Sequence, residues 1–226
     1  MRNNKFICLS SNSYWHWLIE DLPAIIFLTN HYPNSEILIA KDAPKYVIDF
    51  LVSLKVNYRM IQGPVLVNSL VFVGKGRDSG WPHPTDIEVL KNHGPFLDAK
   101  QKTTGKRIYI SRRAAKRSPL NEEQVEVLFR KYGFEIVRTE NLELLEEITL
   151  ISQANILAGV HGAGLANMVW LEPGSRVIDI ANVNYWTESN HRAAHLMELI
   201  YTPYIYTGGM EAEISLYELD QLLNSL

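Results

Sequence analysis

From residue 107 onward the chain alternates short apolar runs with amphipathic ones, and this alternation constrains the fold more than any other feature. "RIYIS" (Arg107–Ser111) is rich in β-branched and aromatic residues and reads as a strand. Asn121 with Gln124 three residues on is a capping-box pattern. It precedes a helix with Val125, Leu128, Phe129 and Tyr132 on one face and Gly133 at its end. "FEIV" is the next strand, Leu142–Gln153 the next helix, and "NILAGV" the strand after that. "RVIDI", a helix from about His191, the β-type "YIYTG" and a last helix complete the series. Ser215 and Glu218 are the capping box of that last helix, and Leu216, Leu219, Leu222, Leu223 and Leu226 are its apolar face. Strands joined through helices pair in parallel, because only a long crossover returns the chain to the same end of a sheet.

The first hundred residues follow the same rule less cleanly. "KFICL" reads as a strand, Tyr14–Asn30 as a helix and "EILIA" (Glu36–Ala40) as a buried strand. Asp42 and Pro44 supply cap and first-turn chemistry for a helix through Leu54. "YRMIQ" and "VLVNSLVFVG" are β-type runs. Gly74–Lys106, rich in Gly, Pro, His and Lys, reads as a linker with at most a short helix near Asp86–Lys91. The expectation is an α/β protein of two Rossmann-like halves facing a cleft. Residues 1–100 form an N-terminal domain with the linker, and residues 101–226 a C-terminal, nucleotide-binding one.

Composition excludes several classes. The chain has 226 residues, 46% of them hydrophobic, which is globular and sufficient for one large or two small domains. Its net charge of -3 is not that of a dedicated nucleic-acid binder. The single cysteine, Cys8, excludes an internal disulfide and a cysteine-based zinc site, and reads as a small buried hydrophobe. No apolar run approaches the roughly 20 residues that span a bilayer, and "MRNNKFICLSS" has too short an apolar patch for a signal peptide. A soluble, cytoplasmic protein without a targeting segment is expected.

"GVHGAGLANMVWLEPGSRVIDI" (Gly159–Ile180) is the stretch that points to chemistry. In parallel α/β sheets ligands sit beyond the carboxyl ends of strands, which is where His161-Gly162-Ala163-Gly164 follows "NILAGV". The glycines let a ligand approach the backbone, and a helix over about Leu165–Leu171 would aim free N–H groups and its positive end at an anion such as phosphate. Two rivals remain open. One is a purely structural turn. The other is a dinucleotide fingerprint, with Asn167 where Gly or Ala belongs, Asp179 imitating the ribose-binding acid, and a helix short for that unit.

These residues resemble a known family. "HGAGLANMVWLEPGSRVIDI", preceded by "RIYISRR", "NEEQVEVLFRKYGFEIV" and "ANILAGV", is similar to glycosyltransferase family 61, and "SYWHWLIEDLP" resembles that family's His-Trp-x-x-Glu-x-x-Pro helix. The resemblance implies the two-domain (GT-B) glycosyltransferase architecture with a shortened N-terminal half. It also implies inversion at the anomeric carbon, a nucleoside-diphosphate sugar as donor and a glycan acceptor, as in capsular-polysaccharide synthesis. It points to Arg112, in "SRRAAKR", as a phosphate ligand.

Sugar transfer needs the departing diphosphate stabilised and an acceptor hydroxyl deprotonated. No two aspartates stand two apart, so the metal-holding Asp-x-Asp pattern is absent and side-chain cations must serve: no cofactor and no metal are expected. The expected donor site is Arg112, His161, Gly162, Ala163, Gly164, Leu165 and Asn167. Arg113, Lys116 and Arg117 read equally well as a solvated basic loop. His16 and Glu20, four apart on one helical face, are the candidate catalytic base, or else a hydrogen-bonded pair packing the domain; Trp15 and Trp17 read as core, or as a surface that stacks on a sugar face. His191 and His195 have the spacing of a metal pair but no evident third ligand. A nucleotide-sugar-binding protein without transferase activity, and a Rossmann oxidoreductase, are the alternative functions.

Overall fold

The structure, a computed structural model, describes residues 6–8 (backbone only), 13–73, 80–113, 118–209 and 212–226. It divides into two compact units, Met1–Asp98 and Ala99–Leu226. The burial expected of the Cys8 side chain, and Lys116 and Arg117, lie outside the described residues.

In the first unit, β1 (Phe6–Cys8), β2 (Glu36–Ala40), β3 (Tyr58–Ile61) and β4 (Leu70–Val71) form a parallel sheet in the order β3-β2-β1-β4. The run from Val65 is not a strand until Leu70, because Leu66 is almost wholly exposed and has nothing to pack on. The second helix starts at Lys45 with Pro44 as its N-cap residue, so Asp42 lies outside it.

Residues 14–31 are helical throughout, in three abutting pieces: Tyr14–His16, Trp17–Asp21 and Leu22–His31. The middle piece is wound wide, with Leu22 N–H reaching back five residues to the Trp17 carbonyl. Pro23 explains the position of this turn. It has no N–H for the Ile19 carbonyl, and a wide turn absorbs that missing bond without ending the helix. Trp17 is fully buried, 6.2 Å from the Phe50 ring, and Trp15 is buried too.

Among its described residues, the segment expected to be a linker holds two helices rather than one, Pro84–Lys91 and Gly94–Ala99, and Phe96 is fully buried, 5.4 Å from Phe50. Its Gly and Pro residues resemble loop composition, but Pro84 sits in a helix's first turn, where the missing N–H is harmless.

The second unit is a five-stranded parallel sheet in the order β6-β5-β7-β8-β9. Its strands are β5 (Lys106–Ile110), β6 (Glu135–Val137), β7 (Ala154–Val160), β8 (Arg176–Asn182) and β9 (Ile200–Tyr206). This is the doubly wound order that starts one strand in, runs to the edge, then returns past the start. The chain changes winding direction between β5 and β7. Alternate residues of β7, Ile156, Ala158 and Val160, enter one core with Tyr109, Ile178, Ile180, Phe129 and Leu223. Tyr109 and Phe129 stack at 4.3 Å.

Two capping expectations need revision. Ser215 caps the last helix, Leu216–Asn224, by accepting Glu218 N–H, but the Glu218 carboxylate accepts the Tyr204 hydroxyl at 2.9 Å rather than closing the box. Asn121 stands at the N-cap of Glu122–Lys131 without a side-chain capping bond. Its amide instead brackets Ile214, donating Nδ2 to the carbonyl at 2.7 Å and accepting the N–H on Oδ1 at 2.9 Å. Both bonds are buried, so losing them strands two polar backbone groups. Asn121→Ala should destabilise the protein by roughly 1–3 kcal/mol in urea unfolding. Asn121→Ser, a good cap too short to bracket Ile214, should lose about as much; full stability in the serine variant would restore the capping role.

Candidate functional site

The chain's winding change places the loops after β5 and β7 beside each other, and Arg112 and His161 stand on those loops. Arg112 Nη1 donates to the His161 carbonyl at 2.7 Å. Its own N–H donates to Glu122 Oε1 at 2.8 Å, and Glu122 also accepts the Tyr109 hydroxyl at 3.1 Å. Burial raises the Glu122 pKa, while those two hydrogen bonds oppose the rise. The buried carboxyl thus pins the backbone from which Arg112 projects.

Gly162 answers why the loop carries glycine. Its φ is +150°, and a Cβ there would overlap the Arg112 guanidinium. Gly164 is different: it lies outside the glycine-only region, and an added methyl would meet Ile110 Cγ2 at an ordinary 3.5 Å. The helix after the loop is tighter and earlier than expected, a 3₁₀ helix over Ala163–Trp170. Leu165 N–H is engaged with the Gly162 carbonyl at 3.1 Å and its side chain is buried. The N–H groups of Ala163 and Gly164 precede the helix's own ladder.

Asn167 is fully buried and its side chain donates to Glu147 Oε1 at 2.6 Å, which ties the 3₁₀ helix to Leu144–Ser152. Burial pushes the Glu147 pKa up to about 7, partly offset by that hydrogen bond.

Asp179 also has another role than imitating a ribose ligand. It lies fully buried on β8, and its carboxylate faces the His161 ring, with Nδ1 2.9 Å from Oδ2. It also accepts the Tyr201 hydroxyl at 2.7 Å and Asn190 Nδ2 at 3.0 Å. A buried carboxylate needs such donors, and facing it fixes Nδ1 as the protonated ring nitrogen and turns Nε2 outward. Nε2 lies 3.4 Å from Thr187 Oγ1. Tyr201 has its pKa raised by burial and by the Asp179 charge, so it stays a donor.

Arg113 turns away from the loop, bound to Glu126 at 2.9 Å and near Glu123 at 3.5 Å. His191 packs against the Tyr201 ring at 5.1 Å. Among the described residues no group of three or more His, Cys, Asp or Glu could hold a metal ion, and no helix is long and apolar enough to cross a membrane.

The first unit brings His16 and Glu20 together, Nδ1 to Oε1 at 3.4 Å, with the Glu20 side chain almost wholly buried in the wide turn and the imidazole one-third exposed. Gly80 N–H donates to the Glu20 carboxylate, and the Gly80 carbonyl accepts Trp15 Nε1 at 2.9 Å. Gly80 has φ +84°, and a Cβ there would press on His16 Cε1 at 3.0 Å. The sequence reading missed Gly80, Glu122, Asn190 and Tyr201. Asp179 alone carried a signal, as a lone carboxylate inside the apolar run "RVIDI".

A Rossmann-like α/β unit with its polar constellation at a sheet's switch point defines a broad class of ligand-binding enzymes. The chain belongs to glycosyltransferase family 61, whose model matches residues 14–178. A relative is the beta-1,2-xylosyltransferase XAX1 of Oryza sativa subsp. japonica. It is 29% identical over 135 residues, which is 57% of this chain and 24% of that protein. The chain therefore spans about a quarter of the length of the relative it matches.

The two glycines separate two kinds of damage. Gly162→Ala should displace Arg112 and lower the thermal midpoint. Gly164→Ala should leave the midpoint within a degree or two and weaken only a ligand that approaches the loop. Equal midpoints for both variants would contradict the Gly162–Arg112 packing.

Proposed function

We propose that the chain is an inverting glycosyltransferase that takes a sugar from a nucleoside diphosphate and passes it to a glycan hydroxyl, as in building a polysaccharide. One observation carries this reading: a guanidinium held against a glycine loop at a parallel sheet's switch point. Arg112 and the Ala163 and Gly164 N–H groups form a cradle for the diphosphate, and His161, its ring held on Asp179, lines the same loop. As the acceptor oxygen bonds to the anomeric carbon, the bond to the distal phosphate oxygen breaks and its electron pair stays on the diphosphate. Fixed donors aimed at that growing charge lower the barrier without reorganising. The acceptor proton goes to the His16–Glu20 pair, where Glu20, held by Gly80, orients the imidazole. The relative's name makes a pentose the first donor sugar to try.

The cation here is a side chain, so nucleoside diphosphate should bind equally with and without EDTA in calorimetry. Arg112→Ala should reduce turnover on the order of 10²–10³-fold and nucleotide binding by only about 1.5–3 kcal/mol. Arg112→Lys should recover part of each, because an ammonium lacks the planar fork. A requirement for manganese or magnesium, or full activity in Arg112→Ala, would refute the cradle.

His16→Ala should abolish transfer while leaving nucleotide affinity within about twofold of the parent. Loss of nucleotide binding in step with transfer, at unchanged thermal midpoint, would remove the imidazole from the role of base.

A further inference from the structure

The loop that leaves β8 is built rather than draped. Asn182, 5% exposed, accepts Asn184 N–H on Oδ1 at 3.0 Å and donates Nδ2 to the Gly209 carbonyl at 3.0 Å. Its own carbonyl accepts the N–H groups of Tyr185 at 2.9 Å and Trp186 at 3.0 Å. Asn184 Nδ2 adds a bond to the Gly208 carbonyl at 2.9 Å. This bracing holds residues 183–188 outward, and all of them are exposed. Trp186 leaves 39% of its surface in solvent, yet its indole N–H donates to the Tyr201 hydroxyl at 3.4 Å. That same hydroxyl donates to Asp179, the partner of His161. A large apolar ring fixed by its edge with its surface open, next to a polar constellation, has the form of a platform.

We infer that Trp186 is the platform for the donor's sugar ring. This rests on reading the neighbouring loop as the diphosphate cradle. Thr187 reaches the His161 imidazole, and Trp186 is the next residue, about 3.8 Å away along the backbone. In a nucleotide sugar the sugar is bonded directly to the distal phosphate, whereas the base is separated from the phosphates by ribose. A ring seated beside the loop that holds the diphosphate is therefore the sugar. Sugar rings combine an apolar C–H face with rim hydroxyls. The indole offers the first a flat apolar surface, and the exposed Thr187 hydroxyl and Glu188 carboxylate offer the second hydrogen-bond partners.

The test compares each nucleotide sugar with its own free diphosphate. Calorimetry on the full chain would use UDP, GDP, UDP-xylose, UDP-glucose, UDP-N-acetylglucosamine and GDP-mannose. For the sugar that the parent protein binds best, Trp186→Ala should raise the ratio of donor Kd to free-diphosphate Kd about tenfold, equivalent to uncovering roughly 55 Å² of apolar surface. Free-diphosphate affinity and the thermal midpoint should stay unchanged, and Trp186→Phe should recover most of the ratio. Parallel weakening of diphosphate and donor would place the base on the indole and overturn the assignment. An unchanged ratio for every sugar would overturn it as well. If the parent protein binds none of these nucleotides, the diphosphate cradle itself fails, and the platform with it.

Discussion

A guanidinium and a peptide carbonyl 2.7 Å apart join the two loops on which the second unit's candidate chemistry depends. Arg112 follows β5 and His161 follows β7, and these strands are neighbours only because the chain reverses its winding between them. Helices leaving the two strands diverge at such a point, and the gap they leave is where loop side chains can meet a ligand. The contact needs Gly162, because any side chain there would occupy the space of the guanidinium. It also needs Glu122, whose carboxyl holds the Arg112 N–H. Sheet order, a missing Cβ and a buried acid are thus three conditions for one charge at one place.

The second unit was largely legible because its inner strands β5, β7 and β8 are largely buried and read as apolar runs, with glycine or polar caps at the helix ends. His161 and Gly162 stood out because an imidazole between glycines has no role in an ordinary turn. What could not be read were partners set by register. Asp179 lies opposite Gly159 across the parallel β7–β8 pair, two residues before His161, and only that alignment delivers its carboxylate to the ring. Asn121 misled for a related reason. It has the chemistry of a cap, but Ile214, 93 residues away, offers both an N–H and a carbonyl to its amide.

The first unit was harder because its chemistry is closed by a segment of loop-like composition. Glycine and proline in "SGWPHP" suggest a connector, yet Gly80 has the positive φ and bare Cα that let its N–H reach Glu20 and its neighbour space be shared with His16. Proline played a similar part at Pro23. The sequence announced a missing hydrogen bond there, and the chain answers it with one wide turn, which carries the buried Glu20 and Asp21.

Each unit arrives at its polar cluster by the same route. In the first, β1 lies between β2 and β4, and the chain winds outward through β2 and β3 before crossing back to β4. His16 and Glu20 lie on the helix that follows β1, and Gly80 on the chain that follows β4. In the second, Arg112 and His161 follow the equivalent pair of strands, β5 and β7. A winding change separates successive helices onto opposite faces of a sheet, so no helix covers the gap and polar groups there keep access to solvent without unfolding any core. Burial then decides which of those groups can act. Glu20, Glu122 and Asp179 are sealed in as orienting acids, while the His16 and His161 rings and the Arg112 guanidinium keep part of their surface open. A sealed carboxylate cannot itself meet a ligand, but it holds the orientation of the group that does. That division of labour is why the residues the sequence exposes most readily are the open ones, and the residues it conceals are those that aim them.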